Sequence, residues 1–224
     1  MTTDVQAAIL RYHAELDPIG VKLVAVSKFH PASLVSEAYD AGQRLFGESR
    51  VDELLEKEQV LPSDIVWHFI GHLQTNKVRK LVGHVSMIES VDSERLLDLI
   101  DAESARKGVV TDVLLQLHVA REETKFGFSP DELLEYFRDR RFENLKATHL
   151  CGVMGMASNT DDVDRINADF KQIADTRRQI LEIAPDLMRF DIVSMGMSGD
   201  YREAIANGAT HVRIGTDIFG SRQY

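Results

Sequence analysis

"VKLVAVSKFHP", residues 21–31, is a Val-rich run that ends on a lysine and turns at once through His30-Pro31. Such a run reads as a buried strand of a parallel sheet. An open doubly wound sheet would usually carry a glycine-rich turn after its first strand, and this turn has no glycine. Lysine is rarely buried, because its ammonium loses hydration inside a protein. Lys28 therefore either snorkels to solvent at a strand end or is an amine delivered there. The strand alone does not decide between the two.

Outward from this run the sequence alternates between two periods. Short β-branched stretches are predicted as strands at 21–27, 43–46, 65–70, 84–89, 112–119, 147–153, 189–194 and 210–215. Helical patterns lie between them, and "MTTDVQAAILRYHAEL" predicts a capped helix before the first strand. Ser129-Pro130-Asp131-Glu132 supplies an N-cap, a first-turn proline and a capping-box glutamate. Gly42 and Gly108 sit where a helix would stop. The stripe Val163, Ile166, Phe170, Ile173, Ile180 marks one apolar helix face, suited to packing on a sheet. Eight strand–helix units predict a closed (β/α)8 barrel of the TIM type, at roughly 28 residues per unit, with right-handed crossovers. The expectation is one α/β barrel domain over residues 1–224, since no Pro/Gly/Ser-rich linker or composition shift divides the chain.

The chain has 224 residues, 44% hydrophobic and 28% charged, and a net charge of −10, which argues against nucleic acid or an anionic membrane as the main partner. The single cysteine, Cys151, allows no internal disulfide and no paired metal ligation. Without a signal-like start or a membrane-length apolar run, a cytoplasmic location is the default.

Barrel chemistry sits at the C-terminal strand ends. Those ends carry Lys28, then Glu48-Ser49-Arg50, then His68 and His72, with Glu122 and Lys125, Met154, the "SMGMSGD" run from Ser194 to Asp200, and Gly215-Thr216 following. Counting by twos places Lys28 on the face of Val24 and Val26, and Arg213 on the face of Gly215. The last two loops join small residues to the hydroxyls of Ser198 and Thr216 just ahead of helices, the first at 199–206. Glycines let backbone N–H groups approach an anion, so the two loops together predict a phosphate cradle. A lysine opposite a phosphate suggests a phosphorylated aldehyde held as a Schiff base; burial or a nearby cation such as Arg213 would lower the amine's pKa for that chemistry. These residues leave a pyridoxal-phosphate enzyme and a Schiff-base aldolase acting on a sugar phosphate equally open.

Other patterns reduce to structure. "GMSG" lacks the spacing of a nucleophile elbow. His68 and His72 straddle a strand end with Gly71 between them, so no zinc pair is expected. "DDVD" at 161–164 reads as an acidic helix start, and Cys151 as core packing.

The segments "AVSKFHP", "LFGESRVDE", "WHFIGHLQTNK", "REETKFGF", "GVMGM" and "SMGMSGDYREAIANGATHVRIGTDIFGSR" resemble the pyridoxal phosphate homeostasis proteins, relatives of the alanine racemase barrel, nearly end to end. The resemblance implies pyridoxal 5′-phosphate as cofactor, with Lys28 carrying the internal aldimine and the phosphate against Ser198, Gly215 and Thr216. It also implies Arg213 beside the pyridine nitrogen and Ser49 near the ring, while His68, Met154, Ser194 and Met197 are expected around the cofactor from their places at the strand ends. The family usually reads G-E-N where this chain has Gly47-Glu48-Ser49, so a hydroxyl replaces an asparagine near the ring. Racemases of this type carry a second β-rich domain; this chain stops at Tyr224, nine residues after Gly215, and a monomeric barrel without that domain is expected. The implied role is to buffer the cofactor and supply it to apo-enzymes. A racemase using His68 or Lys125 as second base is the competing reading.

Overall fold

In a computed structural model that describes residues 2–120 and 126–221, eight parallel strands pair in chain order and the last closes onto the first. They are β1 (Lys22–Val26), β2 (Leu45–Glu48), β3 (Val66–Phe69), β4 (Met87–Val91), β5 (Thr111–Leu117), β6 (Thr148–Gly155), β7 (Ile192–Met197) and β8 (His211–Ile214). Closure is in register, with Val24 of β1 opposite Arg213 of β8. This is the expected (β/α)8 barrel. Glu122 and Lys125 lie outside the described residues.

Around it run α1 (Asp4–Leu16), α2 (Ala32–Asp40), α3 (Val51–Glu58), α4 (Thr75–Leu81), α5 (Glu94–Lys107), α6 (Pro130–Arg138), α7 (Val163–Ile183), α8 (Tyr201–Ala206) and α9 (Thr216–Phe219). Their ends follow from the sequence. Thr3 and Ser129 each close a capping box, with Gln6 and Glu132 respectively. Gly108 ends α5 at φ 68°, a left-handed conformation that favours glycine. Asp162 caps α7 by accepting from the amides of Asp164 and Arg165, so the acidic run is a helix start. The α7 stripe is buried at Ile166, Phe170, Ile173 and Ile180, whereas Val163, in the first turn, is exposed.

Strand alternation sorts side chains into two layers. Leu23, Ala25, Phe46, Trp67, Phe69, Ile88, Val113, Leu115, Val212 and Ile214 join the large core between sheet and helices. The opposite parity supplies a small separate cluster of Met87, Leu114, Cys151 and Met154, together with buried His68, Glu89 and Arg213. The barrel interior is thus partly polar rather than filled by branched aliphatics.

Two strands depart from expectation in a way that matters for function. The fourth was expected at 84–89 but runs from Met87 to Val91, through buried Glu89 and Ser90. The seventh was expected to end at Ser194, yet it continues to Met197 with an irregular register between Ser194 and Met197. Gly196, at φ 91°, sits in that irregularity and is a bulge inside the strand rather than a turn after it. The remaining strand ends shift by one or two residues, and the helix expected at 199–206 begins at Tyr201.

Candidate functional site at the strand ends

The ends of β1, β7 and β8 meet in a cavity of about 240 Å³, lined by Val26, Lys28, His30, Ile70, Met156, Met197, Ser198, Gly199, Arg213, Gly215, Thr216 and Gly220. Although the chain carries −10 overall, these lining residues include two cationic side chains and no carboxylate. The cavity therefore suits an anion. A larger hollow of about 330 Å³ elsewhere is lined by the carboxylates of Asp92, Glu94, Glu132 and Glu135 against one cation, Arg141, and suits an anion less well.

One wall is the turn after β1. The His30 amide donates to the Ser27 carbonyl at 3.1 Å, and Phe29 between them lies at φ 65°, unusual for a bulky side chain. Half-buried Lys28 reaches the cavity from this turn.

The facing wall comes from the two loops read as a phosphate cradle. After β7 the Met197 amide donates to Asp200 Oδ1 at 2.6 Å, and the Asp200 amide donates back to the Met197 carbonyl at 3.1 Å. This closes a tight turn that presents Ser198 and Gly199. A Cβ on Gly199 would meet nothing within 4 Å, so the turn opens onto free space. Gly215 instead lets β8 pass close to β1, since a Cβ there would lie 3.1 Å from the Val26 carbonyl oxygen. Thr216 then opens α9, which α1 buttresses through a Tyr12 hydroxyl donating to Asp217 Oδ2 at 2.8 Å.

The floor is Arg213. Its Nη1 donates to Ser194 Oγ at 2.7 Å and its Nη2 to the Gly155 carbonyl at 2.9 Å. The Ser194 hydroxyl donates in turn to Glu89 Oε2 at 2.6 Å, while His68 Nδ1 lies 2.6 Å from Glu89 Oε1. Burial alone would push the Glu89 carboxyl up. Its hydrogen bond and charge interaction with His68, the Arg213 charge and the Ser194 hydroxyl outweigh that and hold it at about 2. Burial pushes the Arg213 guanidinium down and Glu89 opposes the shift; an arginine so placed stays cationic.

Of the residues expected at the site, Lys28, Met197, Ser198, Arg213, Gly215 and Thr216 share this cavity. Ser194 and His68 lie beneath it, tied to Glu89, and Met154 packs with Met87, Leu114 and Cys151. Ser49 lines a neighbouring depression with Arg50, Phe69 and His72. His72 itself pairs with Asp92 at 3.0 Å and stacks on Phe126 at 3.9 Å between ring centres. No group of three metal-ligating side chains occurs among the described residues. Burial pushes the Cys151 thiol up to about 12, which suits packing rather than reaction. Glu89 was missed because a charged residue in an apolar run reads as a strand end. A cue lay in the buried-strand His68, which needs a partner.

Residues 5–223 match the family model described as alanine racemase, N-terminal domain. A pyridoxal phosphate homeostasis protein of Mus musculus is 40% identical over 234 residues, covering 98% of this chain and 84% of that protein. One from Aquifex aeolicus is 39% identical over 206 residues, covering 91% and 88% respectively. Among solved structures, PipY of Synechococcus elongatus PCC7942 superposes with a TM-score of 0.91 in its form without PLP, at 36% identity over 96% of this chain and all of that one. Its form with PLP bound superposes at 0.87, with 35% identity over the same shares. An alanine racemase of Clostridium difficile, at 15% identity and a TM-score of 0.77, covers 99% of this chain and 57% of its own and shares the fold.

Proposed function

Because the chain belongs to the alanine racemase N-terminal domain family and is 40% identical to a pyridoxal phosphate homeostasis protein, we propose that it binds pyridoxal 5′-phosphate and serves in cofactor homeostasis. One observation carries the reading: a primary amine, a guanidinium and two small hydroxyl-bearing turns line one cavity without a carboxylate. That donor set fits a small phosphorylated aldehyde. The cavity, at about 240 Å³, lies just under the ~300–1,000 Å³ range of sites for drug-sized ligands.

Pyridoxal phosphate supplies an aldehyde that condenses with a neutral primary amine, the new carbon–nitrogen bond releasing the carbonyl oxygen as water. In this chain Lys28 would supply that amine. The Ser198 and Thr216 hydroxyls, with the backbone at Gly199 and Gly215, would hold the phosphate oxygens across the cavity. Arg213 would face the ring nitrogen. A pinned guanidinium has no lone pair to accept a proton and opposes a second positive charge beside it, so it disfavours a protonated ring. Amino-acid chemistry draws on that protonated ring as an electron sink, so Arg213 supports holding the cofactor over turning substrates over. His68 supports the same side: Glu89 engages it beneath the cavity, away from a second-base position.

On this reading the protein is a cytoplasmic monomer that supplies apo-enzymes. No helix among the described residues is long and apolar enough to cross a membrane. The deciding experiment is an absorption spectrum with and without added pyridoxal 5′-phosphate, followed by borohydride reduction and peptide mass mapping. A visible band and a pyridoxyl adduct on Lys28 are expected. Neither band nor adduct would leave only a phosphate-binding barrel, and racemisation abolished by Lys28→Ala would replace the homeostasis reading with an enzyme.

A further inference from the structure

Directly behind the Lys28 turn, between the sheet and α3, lies a buried ammonium that the proposed chemistry does not use. Lys57 is 5% exposed, and all three of its N–H donors are engaged. They reach the Ser27 carbonyl at 2.8 Å, Glu48 Oε1 at 2.6 Å and Glu53 Oε1 at 2.8 Å. The same Glu53 oxygen accepts from the Phe29 amide at 2.7 Å, and the Ser27 hydroxyl donates to Glu48 Oε1 at 2.7 Å.

The chain positions of these contacts give them meaning. The Ser27 carbonyl belongs to the peptide plane before Lys28, and the Phe29 amide to the plane after it. Both planes that flank Lys28 are therefore tied, one by Lys57 and the other by Glu53. The turn needs such restraint, because Phe29 sits at φ 65°, where a bulky residue persists only when its surroundings hold it. An ion pair meant simply to dock α3 would be a poor choice, since buried charges lose hydration and apolar residues of similar volume do that task at least as well.

We propose that Glu53 and Lys57 are positioning residues for Lys28: by holding the two peptide planes around it, they fix the direction in which its amine enters the cavity. The proposal rests on the reading of Lys28 as the amine that captures the cofactor aldehyde. Removing Lys57 would strand Glu48, whose second carboxylate oxygen is buried without a hydrogen bond, so Glu53, at 18% side-chain exposure, is the better place to test it.

Glu53→Ala removes the carboxylate that accepts from the Phe29 amide, whereas Glu53→Gln keeps an oxygen to accept from it. The expected result for Glu53→Ala is capture of pyridoxal 5′-phosphate, followed by absorbance, slower by about tenfold to a hundredfold. Hydrogen exchange at the Phe29 amide should rise in parallel, and Glu53→Gln should restore both. Pyridoxamine 5′-phosphate has the same ring and phosphate but no aldehyde, so its affinity should stay within about twofold in every variant. Faster Phe29 exchange with unchanged capture would overturn the proposal. So would a loss of pyridoxamine phosphate affinity in step with capture, which would mean the pocket itself had collapsed. An unsubstituted protein that forms no adduct on Lys28 overturns the cofactor reading and the positioning role with it, and is recognised without any variant.

Discussion

Among single residues, the cavity depends most on a carboxylate that never reaches it. Glu89 is fully buried and receives Ser194, which receives Arg213, so the guanidinium is aimed through a hydroxyl rather than by a direct pair; Arg213 Nη1 lies 3.9 Å from Glu89 Oε2. Glu89→Gln keeps the shape but removes the stronger of the two carboxylate charges acting on buried Arg213, the other being Asp200. The change also weakens the direct contact of Glu89 with His68, and removing one member of a buried charged network costs up to about 3–5 kcal/mol, so a marked drop in the urea midpoint at neutral pH is expected. The pH dependence adds a second check. A carboxyl held at about 2 in the fold and near 4.5 when unfolded contributes stability that is complete above pH 4.5 and lost as pH falls toward 2. Stability of the Glu89→Gln protein should lack that acid loss, and an unaltered acid limb would show that Glu89 does not carry it. Lys28 was legible because a charged residue ending an apolar run is conspicuous. Glu89 was not, because its burial depends on β3, β7 and β8 arriving from 20 to over 100 residues away.

At the scale of elements, the β7–α8 unit shows how one glycine builds the side of the cavity proposed to hold the phosphate. Gly196 combines φ 91° with a close approach: a Cβ there would fall 2.5 Å from Ala204 Cβ and 2.9 Å from Tyr201 Cα. Both neighbours belong to α8, and the Tyr201 contact is to backbone that cannot step aside. Gly196→Ala should therefore push α8 off β7, with a stability loss of about 2 kcal/mol or more from combined strain and overpacking. Because Ser198 and Gly199 lie between the two elements, affinity for pyridoxamine 5′-phosphate should fall as well. Wild-type affinity and midpoint in that variant would refute the packing argument. The sequence marked this region correctly as small residues ahead of a helix, but "SMGMSGD" was read as a turn from Ser194 onward. Glycine in a bulge and glycine in a turn look alike along the chain, and only pairing with β8 separates them. The fourth strand slipped for the opposite reason, a buried charge read as an edge. Capped helices such as α6 were legible because their signals are local.

Over the whole molecule, the barrel was legible from the count of strand–helix units and the missing glycine after β1, both of which survive small errors in boundaries. The polar axis inside it was not, since barrel interiors are commonly filled by branched aliphatics. That axis continues below Arg213 and Glu89 to His211, whose ring stacks at 6.3 Å between centres from His68. Burial is the main cause that holds the His211 imidazole down at about 4; His68 and Lys22 add to it, while Glu89 and Asp191 oppose it. A histidine near 6.5 when unfolded and about 4 when folded makes the unfolded chain bind more protons between those pH values. Stability then rises with pH across that window and is lost as pH falls, by at most roughly 3 kcal/mol at 1.36 kcal/mol per pH unit. The window lies mostly above the one governed by Glu89, so the two groups separate along a single titration. Urea unfolding of His211→Asn at pH 7, 5.5 and 4 should show a flatter profile than the unsubstituted protein, with the acid loss below 4.5 retained. Parallel profiles would place the sensitivity in another group. If the slope does belong to His211, its imidazole stays neutral in the fold until about pH 4. The second cation it adds beneath Arg213 should then weaken the hold on pyridoxamine 5′-phosphate only near pH 4, and not across the window in which stability falls.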